Sequence, residues 1–197
     1  MKSSIAPAAR GLTLVEVLVA LAVLGVLLAV AAPSLTDMMN RRRTLAVAEQ
    51  LMSDIAYARV ETGLRAQNLF MTFGGDASQT CYTINYFPAF GGGCDCRRGA
   101  GNACTTMTGA VSANQELKTV SALASQGVSI TIDRASWSGD SANELAFVTP
   151  QMTVNPANAA FDVVGRGGTR LRVQLNSMGR VSLCSRSGSI GGVLPCP

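Results

Sequence analysis

Residues Leu12–Ala32 read LTLVEVLVALAVLGVLLAVAA, with only Thr13 and Glu16 polar. As an α-helix rising 1.5 Å per residue, this run is about 32 Å long, close to the ~30 Å hydrocarbon core of a bilayer. Basic residues flank it, with Lys2 and Arg10 before and Arg41, Arg42 and Arg43 after. A cleaved secretory signal ends its apolar region at a small-residue cleavage site. This run instead continues into an amphipathic pattern. The carboxylate of Glu16 lies inside it, where an unpaired charge is costly and is usually tied to function.

Outside that run the composition is of an ordinary folded chain. The 197 residues are 48% apolar and 14% charged, which excludes disorder along the whole length. There are 16 Lys and Arg, 12 Asp and Glu, and no His. Without His, the commonest general base near neutral pH and the commonest metal ligand are both missing. No nucleophile elbow, catalytic ligand cluster or nucleotide fingerprint is found. Gly91-Gly92-Gly93 lacks the following G-K-[ST] of a phosphate loop. The chain is therefore expected to be no enzyme and to carry no cofactor or metal.

The hexad Gly11-Leu12-Thr13-Leu14-Val15-Glu16 resembles the class III signal of type IV pilins and pseudopilins. The resemblance implies a leader of residues 1–11, cut after Gly11 by a prepilin peptidase, with Leu12 then methylated. Leu12 departs from the Phe that is commonest there. Glu16 falls at the fifth mature position and Pro33 at the twenty-second, where the family often has Pro. In a filament, the free amine of a neighbouring subunit would supply the cation that Glu16 lacks, so assembly would relieve the cost of the buried carboxylate. Residues 12–33 are then the transmembrane and filament-core helix.

Past Pro33 the steps become three and four residues. Leu45, Ala48, Met52 and Ile55, with Leu51 and Val60 nearby, read as one apolar stripe. Arg41–Arg43, Glu49, Asp54, Arg59, Glu61 and Arg65 read as polar surface. One helix from Thr13 to Leu64 is expected, interrupted or bent near Pro33, with 34–66 as its amphipathic half. Its stretch from Ala48-Glu49-Gln50-Leu51 to Tyr57-Ala58-Arg59 resembles the GspH/FimT family of minor pilins and minor pseudopilins. Residues 67–197 read as a β-rich head, with strands at 68–73, 80–87, 128–133, 144–148, 169–175 and 180–184. A helix followed by antiparallel strands is an α+β order. The family resemblance implies a β-sandwich-like head on the helix.

Residues 88–109 form a Cys-containing insertion. An oxidising compartment favours disulfides among Cys81, Cys94, Cys96 and Cys104 over a four-thiolate metal site, and the spacing lacks the C-x₂-C pairs of zinc ribbons. Four cysteines allow three connectivities, and a bond within Cys94-Asp95-Cys96 is geometrically awkward. Cys184 and Cys196 are placed to close a C-terminal loop.

From Ala160 onward there are five Arg and one acid, Asp162. If 170–174 and 180–184 form a hairpin, Leu171, Val173, Val181 and Leu183 face the core. Arg170, Arg172 and Arg180 then share the outer face, with Arg186 in the loop beyond. Such a strip suits phosphates without reading sequence. In the FimT branch a Gly-Arg-x-Arg motif is associated with DNA binding. Gly179-Arg180-Val181-Ser182 matches its first half, Ser182 replaces the second Arg, and Arg186 is the candidate substitute. The expected function is a minor pilin, a structural subunit of type IV pilus biogenesis that contributes to DNA binding or uptake. The alternative is a minor pseudopilin of a type II secretion system. The expected partners are other pilins, the prepilin peptidase, the inner membrane and DNA. The expected location is the bacterial inner membrane with the head in the periplasm, then the pilus or pseudopilus.

Overall fold

Thr13 starts the helix. Its Oγ1 accepts the Glu16 N–H at 3.3 Å, and its carbonyl accepts the Val17 N–H at 3.2 Å. Helix α1 then spans Leu14–Arg65 in a computed structural model, which describes residues 13–86, 93–104, 116–137, 143–188 and 190–197. The expected interruption near Pro33 is absent, since the helix runs through that position. Proline removes one donor and crowds the carbonyl four residues back, but the Ala- and Leu-rich sequence before it carries strong helix propensity.

The chain divides into two compact units, one ending at Met39 and one spanning Asn40–Pro197. In the first, α1 is apolar as far as Ala32 apart from Glu16, and the large side chains described there are exposed, from Leu14 at 76% to Met39 at 47%. By length and composition this helix can cross a membrane.

In the second unit α1 buries a stripe of Thr44, Ala48, Leu51, Ile55, Ala58 and Thr62, each at 0% exposure. The steps are four, three, four, three and four, as one helix face requires. The expected stripe is corrected by this. Leu45 and Met52 are only partly buried, and Val60 is 59% exposed. Small residues let the strands come close, and the two threonines satisfy their own hydroxyls. Thr44 Oγ1 donates to the Asn40 carbonyl at 2.9 Å, and Thr62 Oγ1 donates to Ala58 at 2.8 Å. A Cβ at Gly165 would collide with Thr44, so that approach needs glycine.

Asp54 is a second correction. It is not surface, at 2% exposure. Tyr82 Oη donates to its Oδ2 at 2.8 Å, while Lys118 Nζ and Gln50 Nε2 donate to its Oδ1 at 2.6 and 3.0 Å. A buried carboxylate is tolerated when its lone pairs are filled in this way. Burial, reinforced by the charge of Asp54, pushes the Tyr82 hydroxyl well above the usual phenol range, so it stays a donor.

Among the described residues, nine strands follow α1: β1 Leu69–Gly75, β2 Gln79–Tyr86, β3 Glu116–Leu123, β4 Val128–Ile132, β5 Glu144–Val148, β6 Thr153–Asn155, β7 Ala160–Gly165, β8 Arg170–Leu175 and β9 Val181–Ser187. They form two antiparallel sheets, in the orders β3-β2-β1-β5-β6 and β4-β7-β8-β9. With the long helix they make an α+β fold. Phe73 of β1 meets Phe161 of β7 at 4.6 Å between ring centroids, so one core serves both sheets. Trp137 stands edge-on to both rings, at 6.4 Å from Phe73 and 5.7 Å from Phe161.

Strands β3, β6 and β7 are additional to the six expected. Strand β7 (AFDVVG) is central and buried on both faces, so it lacks alternation, and Asp162 breaks its apolar run. Strand β3 (ELKTVSAL) is a half-exposed edge with a weak pattern, and β6 has three residues.

Candidate functional site

The N-terminal candidate site begins outside the described residues, where Gly11 and Leu12 lie. Just inside it, Thr13 and Glu16 stand three apart and are joined by the 3.3 Å bond from the Glu16 N–H. That is the S/T-x-x-E spacing of a helix N-terminus. Glu16 is thus part of a helix cap as well as the carboxylate expected to await a cation. The spacing alone is sufficient to find the cap. Glu16 is also placed in the first turn, where the helix dipole favours negative charge. Pro33 lies within the same helix.

Cys81 bonds to Cys96 and Cys94 bonds to Cys104, so the two sulfurs of the C-x-C pair go to different partners. The first bond ties the loop to β2 and the second closes it. Asp95 caps the 3-10 turn at Cys96–Arg98, accepting the Arg97 N–H at 3.0 Å. The hydrogen bond from the Arg97 side chain, with help from the backbone and from charge, outweighs slight burial and holds the Asp95 carboxyl below its ordinary value. Glu116 of β3 accepts the N–H groups of Gly101 and Ala103 at 2.8 and 3.0 Å, and the Thr119 hydroxyl at 2.6 Å. The other disulfide, Cys184–Cys196, lays the C-terminal segment along β9. There the Ser185 N–H donates to Leu194 at 2.8 Å and the Cys196 N–H donates to Ser185 at 3.0 Å.

The four arginines of the basic strip fall into two kinds. Arg170 and Arg180 are exposed, with no ion-pair partner among the described residues. Arg172 and Arg186 are both engaged. Strands β7 and β8 pair Asp162 directly with Arg172, and Arg172 Nε donates to Asp162 Oδ1 at 2.9 Å. Arg186 Nη1 donates to Asp162 Oδ2 at 3.0 Å. Arg172 is also paired with Asp133, just past the end of β4. Burial would raise the Asp162 carboxyl, but hydrogen bonds and charge from Arg172 and Arg186 outweigh it and hold the group below its ordinary value. Counting charges from residue 160 onward could not reveal Asp133, which the β4–β7 pairing brings to the strip.

Arg172 and Arg180 line one depression of about 390 Å³ on this face, with Gln174, Asn158, Ser136 and Ser182. Gly179 shapes the turn beside it. Its φ is 74°, and a Cβ there would lie 2.8 Å from Arg59 Cδ. The Arg180 N–H is held by Asn176 Oδ1 at 2.8 Å, leaving the guanidinium free to reach outward. The donors suit a phosphate or a carboxylate. Among the described residues, no group of three or more Cys, Asp or Glu is arranged to hold a metal.

The profile of the prokaryotic N-terminal methylation motif matches residues 7–32. That motif is type IV prepilin-like and supports a type IV pilin or pseudopilin subunit. It implies assembly with other pilin subunits and processing by prepilin peptidase. It fits membrane anchoring through the apolar helix, and the motif's family is one of structural subunits. Neither the curated proteins nor the solved structures contain a match to this chain.

Proposed function

We propose that the protein is a minor pilin of the GspH/FimT kind, a structural subunit that takes part in type IV pilus biogenesis. The observation that carries this is the matched motif at residues 7–32, opening directly into an exposed apolar helix ahead of an antiparallel head. In this reading residues 1–11 are a leader removed between Gly11 and Leu12, Leu12 is methylated, and 12–33 become the membrane and then the filament-core segment. Residues 34–66 continue as the amphipathic half, and 67–197 are the head, facing the periplasm until assembly. Glu16 receives the amine of a neighbour. The disulfides suit that compartment.

Gene deletion tests it, with sheared pili and secreted proteins quantified in parallel. Loss of pili with secretion intact is the expected result. Loss of secretion with pili intact would overturn it in favour of a type II pseudopilin.

The basic face supports a contribution to DNA binding. Its weight falls on Arg170 and Arg180, because Asp162 and Asp133 already neutralise Arg172 and Arg186. Duplex DNA should bind the full chain in detergent weakly and without sequence preference. Changing Arg170 and Arg180 to Ala should flatten the log–log salt slope by about two units, near 0.9 per phosphate. A slope equally flattened by changing Arg97 and Arg98 would reduce the effect to net charge.

A further inference from the structure

We propose that Arg41, Arg42 and Arg43 form a collar that binds the phosphates of anionic lipid headgroups, in the leaflet at the C-terminal end of the membrane-crossing part of α1. The proposal rests on the membrane reading of that helix and assigns a lipid partner to residues that lie beyond the matched motif, which ends at residue 32.

All three arginines are exposed and lie in regular helix. Consecutive helical residues are about 100° apart, so three of them spread over more than half the circumference rather than along one face. They lie outside the buried stripe, which begins at Thr44. The large apolar side chains that precede them on α1 are Leu35, Met38 and Met39, exposed at 60%, 46% and 47%.

Depth along the helix agrees. Arg41 is nine positions past Ala32, where the uninterrupted apolar run ends, or about 14 Å along the axis. The headgroup layer accounts for roughly 5–8 Å of that. Two features close the gap. Leu35, Met38 and Met39 gain by entering the interface, which draws the helix deeper. Helical side chains also lean towards the N-terminus, so each guanidinium reaches back towards the lipid on its apolar stem.

The charges around the collar leave it attractive to anions. Asp37 lies one turn before Arg41, and Glu49 lies two turns beyond Arg42 on the same helix. From Asp37 to Glu49 the sequence carries three arginines and two carboxylates, a net positive charge. Guanidinium matches phosphate oxygens with paired donors, and an anionic headgroup offers a phosphate that no ammonium group of its own already neutralises, as it does in choline and ethanolamine lipids.

The test uses the full chain reconstituted in phosphatidylcholine vesicles, with incorporation checked by flotation. Trace spin-labelled phosphatidylglycerol or phosphatidylcholine then reports which lipid is motionally restricted at the protein. Phosphatidylglycerol should be favoured by roughly twofold to fivefold, and 1 M salt should reduce the preference. Arg42→Gln with Arg43→Gln should bring the ratio near one. Arg97→Gln with Arg98→Gln removes the same charge from the disulfide loop and should leave the ratio intact. An incorporated wild-type chain with no preference overturns the collar while the membrane reading stands. So does a preference untouched by Arg42→Gln and Arg43→Gln, which would place its source elsewhere on the chain. A chain that does not float with vesicles overturns both.

Discussion

The two halves of α1 relate composition to burial in opposite ways. From Leu14 to Ala32 the helix is apolar apart from Glu16, and the large side chains described from Leu14 to Met39 are exposed. From Asn40 to Arg65 it is rich in polar residues, yet its stripe is fully buried and includes Thr44 and Thr62, and Asp54 beside it is buried as well. Burial on the second half follows from how well each polar group is satisfied, not from hydrophobicity alone. Exposure on the first half marks a surface meant for lipid or for other subunits. The two carboxylates show the contrast most sharply. Glu16 is exposed and linked to its own helix start through its backbone N–H. Asp54 is closed in by donors from α1, β2 and β3.

The strongest way to test this contrast is at the edge of the first half. A side chain at Gly11 would obstruct the scissile bond, so Gly11→Val should abolish processing. Mass spectrometry of membrane fractions should find only full-length precursor in the variant, and a wild-type chain beginning at Leu12. A mature wild-type chain beginning elsewhere would break the pilin reading.

Asp54→Ala tests the second half. It strands the buried Tyr82 hydroxyl and the amine of Lys118, and should cost about 3–5 kcal/mol in thermal unfolding of the full chain in detergent. A loss below 1 kcal/mol would mean that water fills the site. Glu16→Ala should leave that unfolding almost unchanged, since the cap bond uses the Thr13 hydroxyl and a backbone N–H. It should instead lower the amount in sheared pili by about tenfold, the worth of one charge-assisted contact. Equal effects on folding and assembly would erase the distinction between the two carboxylates.

Acid should act on the outer face of the second sheet. The folded carboxyl of Asp162 titrates below its unfolded value of about 3.9. Its contribution is therefore fully present above that value and is lost as pH falls through the folded one. Asp162→Asn should cost about 1–3 kcal/mol at pH 7. Its deficit against wild type should shrink as the buffer is taken below about pH 4. A deficit independent of pH would mean that shape rather than charge matters. Val60→Ala, on the exposed side of α1, should change stability by less than about 0.5 kcal/mol, and a larger loss would restore Val60 to the core.

Much of this was legible because it is local. The helix was expected from Thr13 to Leu64 and spans Leu14–Arg65, since its extent depends on where the apolar run begins and where periodicity stops. Alternation in Arg170–Leu175 placed the arginines on the outer side of β8, because side chains on a strand alternate in period two. Strand β7 was missed for the converse reason. A strand covered on both faces has no alternation to read. The stripe of α1 was misplaced because Ala and Thr carry little hydrophobic signal, although small size and self-satisfied hydroxyls are what a close helix–sheet contact requires.

By itself, the order of residues determined a chain with a membrane-length apolar helix, a cleavage-type hexad ahead of it and a β-rich remainder. These follow from composition and spacing over a few turns, which no distant contact overrides. Only the tertiary structure decided which polar groups are spent inside the molecule. Asp54 met Tyr82 and Lys118 from strands 28 and 64 residues away. Asp133 met Arg172 across 39 residues and cancelled part of a strip that looked uniformly basic. The reason is physical. A charge has no fixed role until its neighbours are known, because its energy depends on partners within a few ångströms and on the water excluded around them. Those neighbours are set by strand order and register, which hydrophobic patterning constrains only as an inside and an outside.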